Sequence, residues 1–495
     1  MVSGTVAIAI AFILYLDVII FIGLRNVSKN LSSTDYFLGG RRIGPWITAI
    51  SAEAADMSGW LFMAFPAIVY LGGMSQACWM AIGLIIGTYL NWLFVSKRLR
   101  KYTIHVNDSI TIPEFLTNRF KDSRHLLSFT STIFIFIFFT IYTAAGFVAC
   151  AKLFNLVFAI PYTYALIAGV AMILLYTLLG GYKAVCETNS VQGIIMFFAL
   201  VVTAIYMILL LGGPIDASVS LLELGHEYLN PFSEQSNLST IGIISALSWG
   251  LGYFGMPHII VRFMGLRSNF EMSFSRRVAM SWLILVLLAA ISIGAFGHLY
   301  LIPEVLSDTQ AETVFIASVQ KMFPAFIAGI FLCGILAASM STTDSQLMVS
   351  SSAFSRDIFK TFLKKNATEK QILLVGRLST SIIAIIGFII ALNPENSIFN
   401  LVRYAWAGFG ATFGPIILLS LFWRGATRNG AFAGMLTGGI TVFIWQQLEG
   451  GIFDIYELLP GFIICLVVTI IVSLLNRNKN QEMLNEFDLY RQIPD

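Results

Sequence analysis

Ser51-Ala52-Glu53-Ala54-Ala55-Asp56-Met57-Ser58-Gly59-Trp60 lies inside an otherwise apolar run at positions 45–71. The run has the length of a bilayer-spanning helix, about 20 residues, yet its middle holds two carboxylates among small residues. A charged group at mid-bilayer costs at least about 2.5–3.5 kcal/mol, so it normally marks a pathway or a partner. A straight, lipid-facing helix is a poor home for this sequence. A broken helix suits it, because its freed carbonyls can bind a cation and the N-terminus of its second half can face an anionic group.

The rest of the chain makes the membrane reading general. Of 495 residues, 57% are hydrophobic and 12% charged, with a mean hydropathy of +0.81, far from any soluble domain of this length. Apolar runs recur at 6–24, 45–71, 78–95, 126–154, 162–179, 191–211, 241–264, 278–300, 326–349, 372–392, 401–422, 432–448 and 458–475. About thirteen transmembrane helices are expected, all in one transporter domain over 1–475, with a short cytoplasmic tail at 476–495. The first run lacks a basic leader and a small-residue cleavage site, and is expected to be a retained helix.

Cations set the orientation, because basic loops stay cytoplasmic. Connections after odd-numbered runs, and the tail, hold all the Lys and Arg residues except Lys152, Lys321 and Arg403. They include Lys29, Arg41, Lys97, Arg100, Arg119, Lys121, Arg262, Arg356, Arg424, Arg477 and Lys479, whereas Asp216, Glu223, Glu227 and Glu234 crowd one opposite loop. An outside N-terminus and a cytoplasmic C-terminus follow, and these basic residues are expected in topology-setting loops.

Two further stretches carry misplaced polarity. The ninth run holds Ala337-Ala338-Ser339-Met340-Ser341-Thr342-Thr343-Asp344-Ser345-Gln346, with Ser341 and Ser345 on one helix face and Ala338 and Thr342 on another. Sodium, a hard cation, takes the carbonyl, hydroxyl and carboxylate oxygens that this run and the first stretch jointly supply. Hydroxyls that bond back to their own helix would give the same composition. The seventh run, Ser245 to Pro257, is loosened by Gly250, Gly252, Gly255 and Pro257. Its Trp249 and Tyr253, four apart, are expected to share a face and wall an apolar pocket. Interrupted second and seventh helices, five apart, predict two inverted halves at about 45–211 and 241–422.

Other chemistries find little support. The five cysteines are scattered singly, with no CxxC or His–Cys cluster. There is no phosphate-binding Gly-rich lysine loop and no nucleophile elbow, which argues against ATP-driven transport and against a membrane hydrolase. The basic residues form no nucleic-acid patch.

Asp35-Tyr36-Phe37-Leu38-Gly39-Gly40-Arg41, Ala55-Asp56-Met57-Ser58-Gly59-Trp60, the segment Leu247 to Phe263, and Tyr404-Ala405-Trp406-Ala407-Gly408-Phe409-Gly410 resemble the sodium/solute symporter family, and within it the bacterial sodium/proline symporters. The likeness runs from about Asp35 to Gln447. It implies an all-α, leucine-transporter-type core of five plus five inverted helices, with one extra helix before and two after. It also implies import of L-proline with co-transported sodium by alternating access, in the cell membrane, with no enzymatic activity and no obligatory protein partner.

Carried over by position, sodium would meet the Ala54, Met57 and Ala338 carbonyls and the Ser341 and Thr342 hydroxyls, with Asp56 in support. The solute would lie against Ser58, Gly59 and Trp60, Tyr142, and Trp249, Tyr253 and Pro257. Similar symporters carry Thr-Asp after the Gly-Gly-aromatic turn, whereas here Gly180-Gly181-Tyr182 leads to Thr188-Asn189, which argues for one sodium rather than two. Glu53 and Arg403 stand where relatives have small residues, so an ion pair between them is expected unless either serves solute choice; Asp344 is a third functional candidate. The alternative is a symporter of the same family for another amino acid or a short monocarboxylate. A proton-coupled permease ranks behind it. A solute sensor would need signalling domains, and about twenty polar residues follow Leu475.

Overall fold

The computed structural model describes residues 2–27, 33–177, 181–224, 230, 239–308, 310–476 and 480–493. Lys29, Gly180, Glu227, Glu234, Arg477 and Lys479 lie outside the described residues.

Every named element is helical, as backbone in lipid requires, since each N–H and C=O must bond within its own segment. In order, the spans are α1 (Val2–Val27), α2 (Pro45–Asp56 and Gly59–Gly72), α3 (Met74–His105), α4 (Leu126–Phe158), α5 (Tyr162–Thr177), α6 (Tyr182–Leu210) and α7 (Thr240–Phe254 and Pro257–Gly265). Then follow α8 (Met272–Tyr300), α9 (Ala325–Leu363), α10 (Glu369–Ala391), α11 (Ile398–Phe422), α12 (Arg428–Trp445) and α13 (Leu458–Leu475). Among the described residues, nine helices are long and apolar enough to cross a bilayer, and the two bent pairs bring the number to eleven. The shorter α5 and the less apolar α12 complete the expected set of about thirteen.

Local sequence explains the ends and the contacts. Thr368 and Gln371 form a reciprocal capping box that starts α10 (Gln371 N to Thr368 Oγ1 3.4 Å, Thr368 N to Gln371 Oε1 3.1 Å). On α12, Gly430, Gly434 and Gly438 recur every fourth residue, and a Cβ on each would run into Ser473, Thr469 and Cys465 of α13. Such a stripe lets two helices approach where the hydrophobic effect gives no help.

Two boundaries differ from the sequence reading. The sixth span starts at Tyr182 rather than 191, and the ninth continues to Leu363 rather than 349. Both extensions are polar, and hydropathy misses them because their polar atoms are bonded inside the protein. Asn189 Nδ2, for instance, donates to the Ser341 carbonyl (3.0 Å) and to Ser345 Oγ (2.9 Å). Two supposed loop cations are also buried. Arg119, 1% exposed, lies over the Phe487 ring (4.8 Å), and Arg262, 2% exposed, lies in the second half of α7. Guanidinium bonded and stacked in this way belongs to the packing.

The tail is a docked amphipathic helix, α14 (Gln481–Gln492). Tyr490 stacks on Tyr102 at 3.9 Å, Lys121 meets Glu486 (2.5 Å), and Arg424 grips Asp488 (2.7 Å). The exposed Arg424–Asp488 pair contributes little, and the buried rings do most to hold the helix. Tyr490→Ala is expected to destabilise by about 2 kcal/mol, read as an earlier thermal unfolding of the solubilised protein. Leu489→Ala, on the exposed side of α14, should leave unfolding unchanged.

Candidate functional site

The first half of α2, hereafter α2a (Pro45–Asp56), and its second half α2b (Gly59–Gly72) meet at 71°. Met57 leaves the helix at φ −83°, ψ 74° and Ser58 is extended, its hydroxyl accepting weakly from Trp60 N (3.5 Å). A helix C-terminus leaves four carbonyls without intrahelical donors, and here all four are met. Met57 N closes on the Glu53 carbonyl (2.9 Å). Ser341 Oγ of α9 donates to the Ala54 carbonyl (2.6 Å), the His258 ring lies on the Ala55 carbonyl (Nε2 3.1 Å), and Tyr142 OH of α4 donates to the Asp56 carbonyl (3.4 Å). Three distant elements converge on one helix end.

Of the five expected sodium ligands, the structure links Ala54, Ala338 and Ser341 through hydrogen bonds. Ser341 Oγ also reaches the Ala338 carbonyl (3.2 Å), so one hydroxyl bridges carbonyls of α2a and α9. Thr342 Oγ1, on a residue 2% exposed, has no partner. Carbonyl and hydroxyl oxygens of this kind are what a hard monovalent cation takes. No group of three His, Cys, Asp or Glu that would hold a transition metal occurs among the described residues.

Asp56 faces α7. Its Oδ2 accepts from Tyr253 OH (2.6 Å) and its Oδ1 has no partner. The segment Trp249–Phe254 is a 3-10 helix, where residues four apart point about 120° away from each other. Trp249 and Tyr253 therefore do not share a face, contrary to the α-helical expectation. Trp406 of α11 reunites them: its indole donates to the Trp249 carbonyl (2.8 Å) and meets the Tyr253 ring edge-on at 5.1 Å. Trp60 lies 6.3 Å from Trp249, and Phe399 stacks on Trp249 at 5.6 Å while lining a cavity of about 680 Å³. Pro257 begins the second half of α7, and Gly59 starts α2b with Ala149 and Ser339 facing it. Close approach of α7 to α3 needs Gly87 and Gly250, since a Cβ on Gly87 would meet the Gly250 backbone and one on Gly250 the Gly83 backbone.

The Glu53–Arg403 pair does not form. Arg403 pairs with Glu457 (2.8 Å), whereas Glu53 Oε1 accepts from Trp92 Nε1 (3.3 Å). Sequence carries no sign of these separate partners. Asp344 accepts from Ser345 Oγ (3.2 Å), and Arg262 donates to the same hydroxyl (Nη2 2.5 Å) and to Cys186 Sγ (Nη1 3.3 Å). Asn189, Ser345, Arg262 and Asp344 thus form one buried network beside Ser341. Arg262, His258 and Trp406 were not expected in the site, although each lies in a family-type motif quoted above.

The profile of the Sodium:solute symporter family matches residues 36–438. A sodium/proline symporter of Escherichia coli K12 is 43% identical over 97% of this chain and 95% of its own. A high-affinity proline transporter of Bacillus subtilis 168 is 42% identical, over 95% of this chain and 99% of its own. A substrate-bound, outward-open sodium-coupled sialic acid symporter shares the fold with a TM-score of 0.81 at 18% identity, covering 96% of this chain and 99% of that one. The fold is the expected leucine-transporter type. Spanning the membrane many times and matched by that profile over most of its length, the chain belongs to the sodium:solute symporter family.

Proposed function

We propose that this chain imports L-proline together with sodium by alternating access. It works in the cell membrane with its N-terminus outside and its tail cytoplasmic, as a transporter and not an enzyme. The relatives named as proline carriers support the solute, and the basic loops support the orientation. One observation carries the sodium reading: the Ser341 hydroxyl joins the Ala54 carbonyl of the α2 break to the Ala338 carbonyl of α9, and the next residue, Thr342, has a buried hydroxyl without a partner.

Sodium takes the Ala54, Met57 and Ala338 carbonyls and the Ser341 and Thr342 hydroxyls, with Asp56 supplying charge nearby. Proline lies against Trp60, Trp249 and Tyr253, with Tyr142 and Pro257 at the margin. Its amine and carboxylate meet Ser58, Gly59 and the other polar groups of the break. Ion and solute share one bend, so an ion that fixes the bend prepares the solute's contacts. That shared geometry is a coupling free energy, and it acts equally in both directions. The inverted halves, about 45–211 and 241–422, rock around the site, which lies where they meet.

Uptake of labelled proline by vesicles, with and without sodium and against competing amino acids and short monocarboxylates, tests the solute. Sodium-free uptake of unchanged affinity would sink the reading. Ser341→Ala or Thr342→Ala removes one ion-ligating oxygen, about 1–2 kcal/mol, and should raise the half-maximal sodium concentration roughly tenfold. Unchanged sodium dependence in both variants would mean the ion sits elsewhere.

Trp249→Ala should weaken solute binding roughly tenfold or more and leave sodium affinity nearly intact. Tyr253→Phe keeps the ring but loses the bond to Asp56, so it should shift sodium affinity more than solute affinity. Binding of each ligand to purified protein separates the two effects.

One charge crossing about 100 mV releases about 2.3 kcal/mol, and a tenfold sodium gradient adds about 1.4 kcal/mol. The sum, about 3.7 kcal/mol, accumulates a neutral zwitterion a few hundredfold, so one sodium per proline suffices. An inside-negative potential imposed on sealed vesicles should accelerate uptake. Indifference to potential, or a sodium Hill coefficient near two, would overturn the one-ion cycle.

A further inference from the structure

On the side that carries the basic loops, α3 and the start of α8 enclose a crevice of about 310 Å³. Its polar lining is Lys97 and Arg98 from α3 and Ser273 and Arg276 from α8, and no acid lines it. Just ahead of the two α3 cations the helix widens into a π-turn at Asn91–Val95, a form frequent at functional sites. On the other wall, Ser273 lies in the first turn of α8, whose N-terminus has no side-chain cap.

The charge of this lining is not cancelled within the protein. Lys97 makes no hydrogen bond or ion pair among the described residues. Arg276 lies over the Tyr89 ring (5.4 Å) and hydrogen-bonds nothing among them. Arg98 lies over the Phe422 ring (4.6 Å) and spends one of its five N–H donors on the Phe94 carbonyl (3.1 Å). Of the acids near these elements, Glu271 is held by Arg267 (2.9 Å) and Glu53 takes the Trp92 indole. A larger crevice on the same side, about 410 Å³, is different: Arg356, Lys360 and Lys365 share it with Glu114 and Asp357. Positive-inside sorting accounts for cations on this side of the membrane. It does not account for three of them lining one crevice without an acid, where their mutual repulsion is removed by an anion.

Position says which anion. Phe422 is the last residue of α11 and Met272 the first of α8, so the crevice lies at the level where these spans leave the bilayer. The rings beneath Arg98 and Arg276, Phe422 and Tyr89, are exposed, as are Phe94 and Phe274 beside the crevice. Exposed aromatic rings at this depth meet lipid. A soluble phosphate would gain the cations alone, whereas a phospholipid also covers the rings. We propose that this crevice binds the headgroup of an anionic phospholipid, its phosphate among Lys97, Arg98, Arg276 and the α8 N-terminus and its acyl chains along Tyr89 and Phe422. The site does not depend on which solute is carried.

Native mass spectra of the full chain in neutral detergent, titrated with phosphatidylglycerol and with zwitterionic phosphatidylcholine, test it. One phosphatidylglycerol should bind roughly tenfold more tightly than phosphatidylcholine. Lys97→Gln should weaken it roughly fivefold, and Lys97→Gln with Arg276→Gln roughly 25-fold. Lys97 bonds to nothing among the described residues, so thermal unfolding of Lys97→Gln without lipid should match the wild type. Lys360→Gln with Lys365→Gln, an equal loss of charge at the other crevice, should change the affinity less than about twofold. Equal affinity for the two lipids, no loss in the crevice variants, or an equal loss in the Lys360 and Lys365 control overturns the proposal. Displacement of the lipid by millimolar inorganic phosphate also overturns it, and makes the crevice a site for soluble anions.

Discussion

The rest of the structure depends on three carbonyls. Breaking a helix inside a bilayer strips its last turn of intrahelical donors, and no water is at hand to replace them. The Ala54 and Ala55 carbonyls are met by Ser341 and His258 from other spans, and the Asp56 carbonyl accepts from its own neighbour Ser58 N (3.0 Å) as well as from Tyr142. These side chains come from three different spans, so the break is tied to α4, α7 and α9 together. The shortest of these contacts is the Ser341 bond, and through it a single serine hydroxyl bridges α2a and α9.

The aromatic group is built by a different device. Aromatic rings from α2b, α7 and α11 gather with their polar edges bonded inward: the Trp406 indole on the Trp249 carbonyl and the Tyr253 hydroxyl on Asp56. Aromatic rings supply large contact area with few rotatable bonds. The Tyr253 bond also ties the aromatic group to the charged end of α2a. That linkage distinguishes Tyr253 from Trp249, whose ring stacks on Phe399 and Tyr456.

Beside Ser341 lies a network that charge counting along the sequence misassigns. Arg262 falls where a topology-setting loop cation belongs, yet its guanidinium is buried over the Tyr182 ring and bonded to Ser345 and Cys186. Its charge faces the same hydroxyl as Asp344, and Asn189 joins them.

Sequence alone determined the membrane class, the about thirteen spans, the two interrupted helices and the oxygen-rich run of α9, because each is a local departure from apolar monotony. The resemblance to family motifs supplied the list of ligands and pocket residues. The chain's order did not say which side chains would close the break, and it hid the polar starts and ends of α6 and α9 behind their low hydropathy. It also invited a Glu53–Arg403 pair that packing forbids and a shared face for Trp249 and Tyr253 that a 3-10 turn abolishes. Those features depend on distances between segments far apart in the chain. Hydropathy records what a residue costs in lipid, whereas only the tertiary structure decides which partner removes that cost.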